Sequence, residues 1–162
     1  MTKLRPPDVG KLKKMQLETN PPYTELGKDK PYKGYEYKFQ MALVEAMQYR
    51  GFEPTYTPND ANLSKAECNR LGRMGIRKGM PDLMLYRHNI AIELKVKDGS
   101  IKPEQKKTMA WLSDCGWTCF VVWSFPAAMG LLDRINKGEV KGKYQKINAN
   151  KQGHLKPDMQ QK

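Results

Sequence analysis

Asp82, Glu93 and Lys95 lie within the stretch GMPDLMLYRHNIAIELKVKDG, residues 79–99, and carry the reactive groups of an otherwise apolar segment. Two runs, about 82–86 and 90–97, flank Arg87, His88 and Asn89, a pattern that predicts a β-hairpin. In the second run Ile90, Ile92, Leu94 and Val96 alternate with Ala91, Glu93, Lys95 and Lys97. Successive strand side chains point to opposite faces, so Glu93 and Lys95 share a face, roughly 7 Å apart. Asp82 opens the first run. In an antiparallel pair the start of one strand lies beside the end of the next, so Asp82 can approach both.

Two carboxylates held together on strands repel unless a positive charge sits between them. A divalent cation is the natural occupant, and oxygen-only ligands favour Mg²⁺ or Mn²⁺ over Zn²⁺. Such a cation polarises a phosphoryl oxygen and acidifies a water. Lys95 beside it can orient that water or neutralise charge developing on phosphorus. The chemistry is phosphodiester hydrolysis. An E-x-K pair alone is more often a solvent-facing ion pair worth under about 1 kcal/mol, so the reading needs further residues.

Two more positions supply them. In the helix expected over 34–51, Glu36 lies about 70° from the centre of the apolar stripe and Glu45 about 110° away on the other side, which makes Glu36 the better placed carboxylate. The competing account is an ordinary first-turn Glu favoured by the helix dipole. In the helix expected over 103–114, Gln105 shares a stripe with Met109 and Leu112. A Gln facing inward needs a hydrogen-bond partner, which can be backbone, substrate or a metal-bound water near Lys95.

The elements that must position these groups follow from periodicity. Tyr35, Phe39, Ala42, Leu43, Ala46 and Met47 form one helical stripe, stopped at Gly51. Residues 52–57 suggest a strand near a sheet edge because of Pro54. A helix is expected over Leu63–Met74, with Leu63, Ala66, Arg70/Leu71 and Met74 in phase. Gly75, Gly79 and Pro81 then break the chain. Pro103 suits a first helical position. Thr118–Ser124 is a continuous apolar run, the mark of a buried strand, and a last helix covers 126–136. The order predicts an α/β fold, a small mixed β-sheet of about four strands flanked by helices. Residues 1–33 hold five of the eleven prolines and read as a basic Pro-rich N-terminal arm, with a short helix near Val9–Leu17. Residues 34–138 are the domain, and 139–162 a basic polar C-terminal tail with almost nothing to bury.

No apolar run approaches the roughly 18–20 residues that span a membrane, and the first residues, MTKLRPPDVGKLKK, lack the apolar core of a signal peptide. The expected compartment is the cytoplasm. Cys68, Cys115 and Cys119, with only His88 and His154, do not make a zinc site; they read as reduced, mostly structural thiols. The formal net charge is +12, of which each arm and the central region carries +4, so charge is densest at the ends. A basic chain without a membrane segment points first to nucleic acid.

Glu36-x-x-x-Gln40, Gly79-Met80-Pro81-Asp82-Leu83, Ile92-Glu93-Leu94-Lys95 and Gln105, followed by the strand after Gly116, together resemble the virus-type replication-repair nuclease (VRR-NUC) domain of the PD-(D/E)xK superfamily. The resemblance covers about residues 34–125. It implies a restriction-endonuclease-like core and a Mg²⁺- or Mn²⁺-dependent endonuclease acting on branched or structured DNA. Stand-alone members resemble homodimeric bacteriophage Holliday-junction resolvases, which would place the chain in the host cell cytoplasm. It assigns Asp82, Glu93 and Glu36 as metal ligands, Lys95 as the catalytic lysine and Gln105 as a supporting catalytic-site residue.

Arg70, Arg73, Arg77 and Lys78 precede the site, and Lys97, Lys102, Lys106 and Lys107 flank it. Singly each reads as a solvated charge; as a group they fit phosphate contacts whose strength falls with salt. Asn59 follows the first expected strand and could enter the site. Junction resolution needs two coordinated cuts and favours a C2 dimer. The alternatives are a monomeric flap or nicking nuclease and a non-catalytic DNA-binding protein on a nuclease fold.

Overall fold

The hairpin expected at the centre of the sequence is also the centre of the sheet. In the computed structural model, which describes residues 21–57 and 64–142, the elements run β1 (Tyr23–Leu26), α1 (Glu36–Tyr49), β2 (Thr55–Tyr56), α2 (Lys65–Arg73), β3 (Leu83–Leu85), a 3₁₀ turn (Tyr86–His88), β4 (Ile90–Leu94), α3 (Pro103–Asp114), β5 (Thr118–Val122) and α4 (Phe125–Asn136). The five strands form one mixed sheet in the order β1-β5-β4-β3-β2. β4 pairs antiparallel with β3 and parallel with β5. Parallel neighbours need a crossover, and α3 provides it.

The alternation along β4 sorts the core into two halves. Ile90, Ile92 and Leu94 pack with Phe39, Leu43 and Met47 of α1 and with Ala128, Leu131, Leu132 and Ile135 of α4. Ala91 points the other way and packs with Met84, Val121 and Trp123 against Met109 and Leu112 of α3. The architecture is therefore three layers, helices on both faces of a buried sheet. Truncating Ile92 to Ala would cost about 2–5 kcal/mol because its cavity sits between two packed layers.

Several expectations are corrected. The sheet has five strands, because Tyr23–Leu26, within the expected arm, pairs in parallel with β5. It lies at the edge and is only half-buried, so its strand character comes from backbone pairing rather than from an apolar pattern. The strand expected over 52–57 shortens to Thr55–Tyr56. The strand expected over 90–97 ends at Leu94, although the Lys95 N–H still donates to the Val122 carbonyl at 3.0 Å. Tyr35 and Ala42, placed in the apolar stripe of α1, are exposed. α2 buries none of its residues; it is held at its start by reciprocal hydrogen bonds between Ser64 and Glu67. The Val9–Leu17 helix, Asn59 and most of the C-terminal tail lie outside the described residues.

Candidate active site

The β3–β4 register pairs Leu83 with Ile92 and Met84 with Ala91; one step further it sets Asp82 opposite Glu93. The Leu94 N–H donates to Asp82 Oδ2 at 2.8 Å, so the first acid is tied to the backbone of the strand that carries the second. Glu93 and Lys95 share the α3 side of the sheet, as their spacing predicts, and Lys95 Nζ lies 2.6 Å from Glu93 Oε1. All three side chains are buried: Asp82 is 5%, Glu93 2% and Lys95 7% exposed. Their burial separates this arrangement from a surface ion pair.

Gln105 is buried on the first turn of α3. Its Nε2 donates to the same Glu93 Oε1 that Lys95 holds, and its Oε1 accepts the Lys102 N–H at 2.9 Å. Its carbonyl thus anchors the helix start while its amide reaches the strand acid. The loop before Asp82 is pressed against the same helix turn. Gly79 has φ +73°, and a Cβ there would meet the Glu104 carbonyl carbon at 2.5 Å and the Gln105 nitrogen at 2.7 Å. Only glycine allows both that conformation and that approach. Thr108 Oγ1 completes the seam by donating to the Lys78 carbonyl at 2.8 Å.

Two donors on Oε1 leave Glu93 Oε2 buried with no hydrogen-bond partner. Burial and the neighbouring Asp82 charge raise the Glu93 pKa to about 8, against the pull of Lys95; Glu36 adds a smaller push in the same direction. A carboxylate so placed binds either a proton or a cation. Among the described residues, no three His, Cys, Asp or Glu side chains form a ready metal cage. An Asp–Glu pair with an unsatisfied oxygen nevertheless suits Mg²⁺ or Mn²⁺, since Mg²⁺ commonly takes one or two protein carboxylates and leaves its other positions to water and substrate.

Glu36 stands apart from this cluster. It is the first residue of α1, is exposed, and belongs to a helix that packs on the opposite face of the sheet. Its only link to the cluster is the smallest of the electrostatic pushes on Glu93. The basic residues named above as candidate phosphate contacts take no part in the buried cluster. Arg70, Arg73, Arg77, Lys78, Lys97, Lys102, Lys106 and Lys107 are all exposed. Arg77 stacks its guanidinium over Trp111, 3.9 Å from the ring centre. The sequence reading missed Trp111; its only signal was a large aromatic out of phase with Met109 and Leu112 on α3. Cys119 is buried, which pushes its thiol up to about 12 and fits a structural role, whereas Cys115 is exposed.

Helices on both faces of one five-stranded mixed sheet make this a three-layer α/β core. A solved structure described as a VRR_NUC domain protein shares that architecture: the superposition has a TM-score of 0.52 at 18% sequence identity and covers 67% of this chain and 91% of the other. No protein-family model matches the chain, and no curated protein does. The chain thus has a VRR-NUC-like fold, in agreement with the resemblance of its motifs. No described helix is long and apolar enough to cross a membrane.

Proposed function

We propose that this protein is a divalent-metal-dependent DNA endonuclease that hydrolyses phosphodiester bonds in branched or structured DNA. The observation that carries the reading is the partnerless buried oxygen of Glu93 beside Asp82 and Lys95. An acid pair of this kind gains nothing in a pure DNA binder, where it would repel the phosphate backbone.

Asp82 and Glu93 would hold Mg²⁺ or Mn²⁺, with Glu36 contributing. The bound ion would supply Lewis-acid polarisation of a phosphoryl oxygen and a more acidic water. The chain's own residues do the rest. The Leu94 N–H fixes the Asp82 carboxylate. Gln105 orients Glu93 and ties it to the start of α3. The Lys95 ammonium is positioned to orient the attacking water and to offset charge on the scissile phosphate. Gly79 keeps the loop close enough for these elements to meet. The exposed Arg and Lys side chains would track the DNA backbone. Resolution of a four-way junction would require two such sites in a C2 dimer; a monomer would cut flaps or nicks.

The test is cleavage of labelled four-way junction, flap and linear duplex in Mg²⁺, Mn²⁺ or EDTA. Cleavage should require metal, and Lys95→Ala should lower it at least about 100-fold while DNA binding persists. Undiminished cleavage by Asp82→Ala or Glu93→Ala protein would remove the metal assignment. Failure of the wild type to cut any of the three would leave a DNA-binding protein on a nuclease fold.

A further inference from the structure

Tyr35 caps the start of α1 and Tyr37 lies in its first turn; they are 64% and 58% exposed. Tyrosines stabilise a core by burying their rings, and these two do little of that. Instead their rings lie against each other, with centroids 5.8 Å apart and planes 24° from parallel. Two ammonium groups lie over Tyr35: Lys38 Nζ is 5.8 Å and Lys97 Nζ 5.6 Å from the centre of its ring.

Lys97 is two residues beyond Lys95 and has φ +52°, one of two left-handed non-glycine residues among those described. Such a conformation costs energy for a lysine. Its N–H donates to the Tyr32 carbonyl at 3.0 Å, which joins the end of the site strand to the segment leading into α1. Through Lys97 the aromatic pair therefore stands beside the end of the strand that carries Glu93 and Lys95.

We propose that Tyr35 and Tyr37, with Lys38 and Lys97, form a platform that stacks an unpaired DNA nucleotide beside the Asp82–Glu93–Lys95 site. A duplex hides its base faces, whereas an unpaired base presents one, and aromatic faces bordered by cations bind single strands without regard to sequence. The inference rests on the nuclease reading and narrows its substrate to DNA with unpaired nucleotides next to the scissile phosphate.

The experiment measures binding of full-length protein in EDTA, where metal-dependent cleavage is suppressed, to a labelled single strand, a flap and a fully paired duplex. Tyr35→Ser/Tyr37→Ser should weaken single-strand and flap binding about tenfold or more and duplex binding less than about twofold. Tyr35→Phe/Tyr37→Phe, which keeps the rings, should stay within about twofold of wild type on every probe. Lys97→Gly should raise the melting temperature by relieving the left-handed strain, yet weaken single-strand binding about threefold. Equal losses on duplex and single strand, no loss in the Ser pair, failure of rescue by Phe, or unchanged single-strand binding in Lys97→Gly would each overturn the platform. So would a Ser pair whose only change is from dimer to monomer in sedimentation, which would assign the tyrosines to a second copy of the chain. A wild type that shows the stacking pattern but cuts nothing in Mg²⁺ or Mn²⁺ would instead overturn the nuclease reading.

Discussion

Asp82 accepts the N–H of Leu94 through Oδ2 at 2.8 Å, so one side chain both closes the sheet between β3 and β4 and stands opposite Glu93. These two duties can be separated. Asp82→Ala leaves a buried N–H without its acceptor and should cost about 1–3 kcal/mol in urea unfolding. Asp82→Asn keeps an oxygen at that position and should cost less than Asp82→Ala. Mg²⁺ should raise the melting temperature of the wild type, and both variants should lose that rise. A full Mg²⁺-dependent rise in Asp82→Asn would count against Asp82 as a metal ligand.

Glu93 makes stability depend on pH in a defined direction. Its pKa is raised from 4.5 to about 8 by burial and by Asp82. Between those values the folded state holds a proton that the unfolded state has released. Its contribution is therefore fully present below the unfolded pKa and is lost as pH rises through the folded one. Without divalent cation, the stability of wild type relative to Glu93→Gln should fall between pH 5 and 8, by up to about 1.4 kcal/mol per pH unit. Chemical denaturation of both proteins across that range measures it; a flat difference would reject the raised pKa.

Divalent cation should reverse that trend. Binding must displace the proton from Glu93, so affinity should strengthen as pH rises from 6 to 8. Calorimetry with Mn²⁺ in buffers of different ionisation enthalpy should show proton release for the wild type. Glu93→Gln should show neither tight binding nor proton release.

Gly79 carries two constraints where Gly75 carries one. Both have positive φ, but a Cβ at Gly75 meets open space while a Cβ at Gly79 meets the backbone of Glu104 and Gln105. Gly79→Ala should therefore be less stable than Gly75→Ala by about 1 kcal/mol or more. It should also lose more cleavage activity, because the seam that brings Gln105 to Glu93 must open. Equal unfolding midpoints for the two variants would show that the seam yields without cost.

Arg77 offers a separate test of the basic residues. Stacking over Trp111 holds its guanidinium in place while leaving its N–H edges to meet phosphate. Arg77→Ala should weaken binding of all DNA probes similarly and flatten the salt dependence by about one unit of slope. Trp111→Leu, which keeps the charge but removes the ring, should leave the slope near the wild-type value.

Local patterns made much of this legible. The helices α1, α3 and α4 fall within a few residues of their periodic stripes, because those stripes are what the core buries. α2 resists such reading: Ala66, Arg70 and Met74 of its apparent stripe are exposed, and reciprocal hydrogen bonds between Ser64 and Glu67 hold its start. β1 was missed because an edge strand of four half-exposed residues is created by its partner's free backbone groups. Gln105 was legible as an inward-facing polar residue, but not the oxygen it would share with Lys95.

The sequence by itself determined that Glu93 and Lys95 share a face and that Asp82 stands beside them, since both follow from the pleat and pairing of a hairpin. Only the tertiary structure decided that this face is covered by α3, that Glu93 keeps a buried oxygen without a partner, and that Glu36 sits exposed on a helix of the other layer. The physical reason is the range of each effect. Alternation is set by the dihedral angles of neighbouring residues, whereas desolvation and electrostatic strain depend on elements that fold back from elsewhere in the chain.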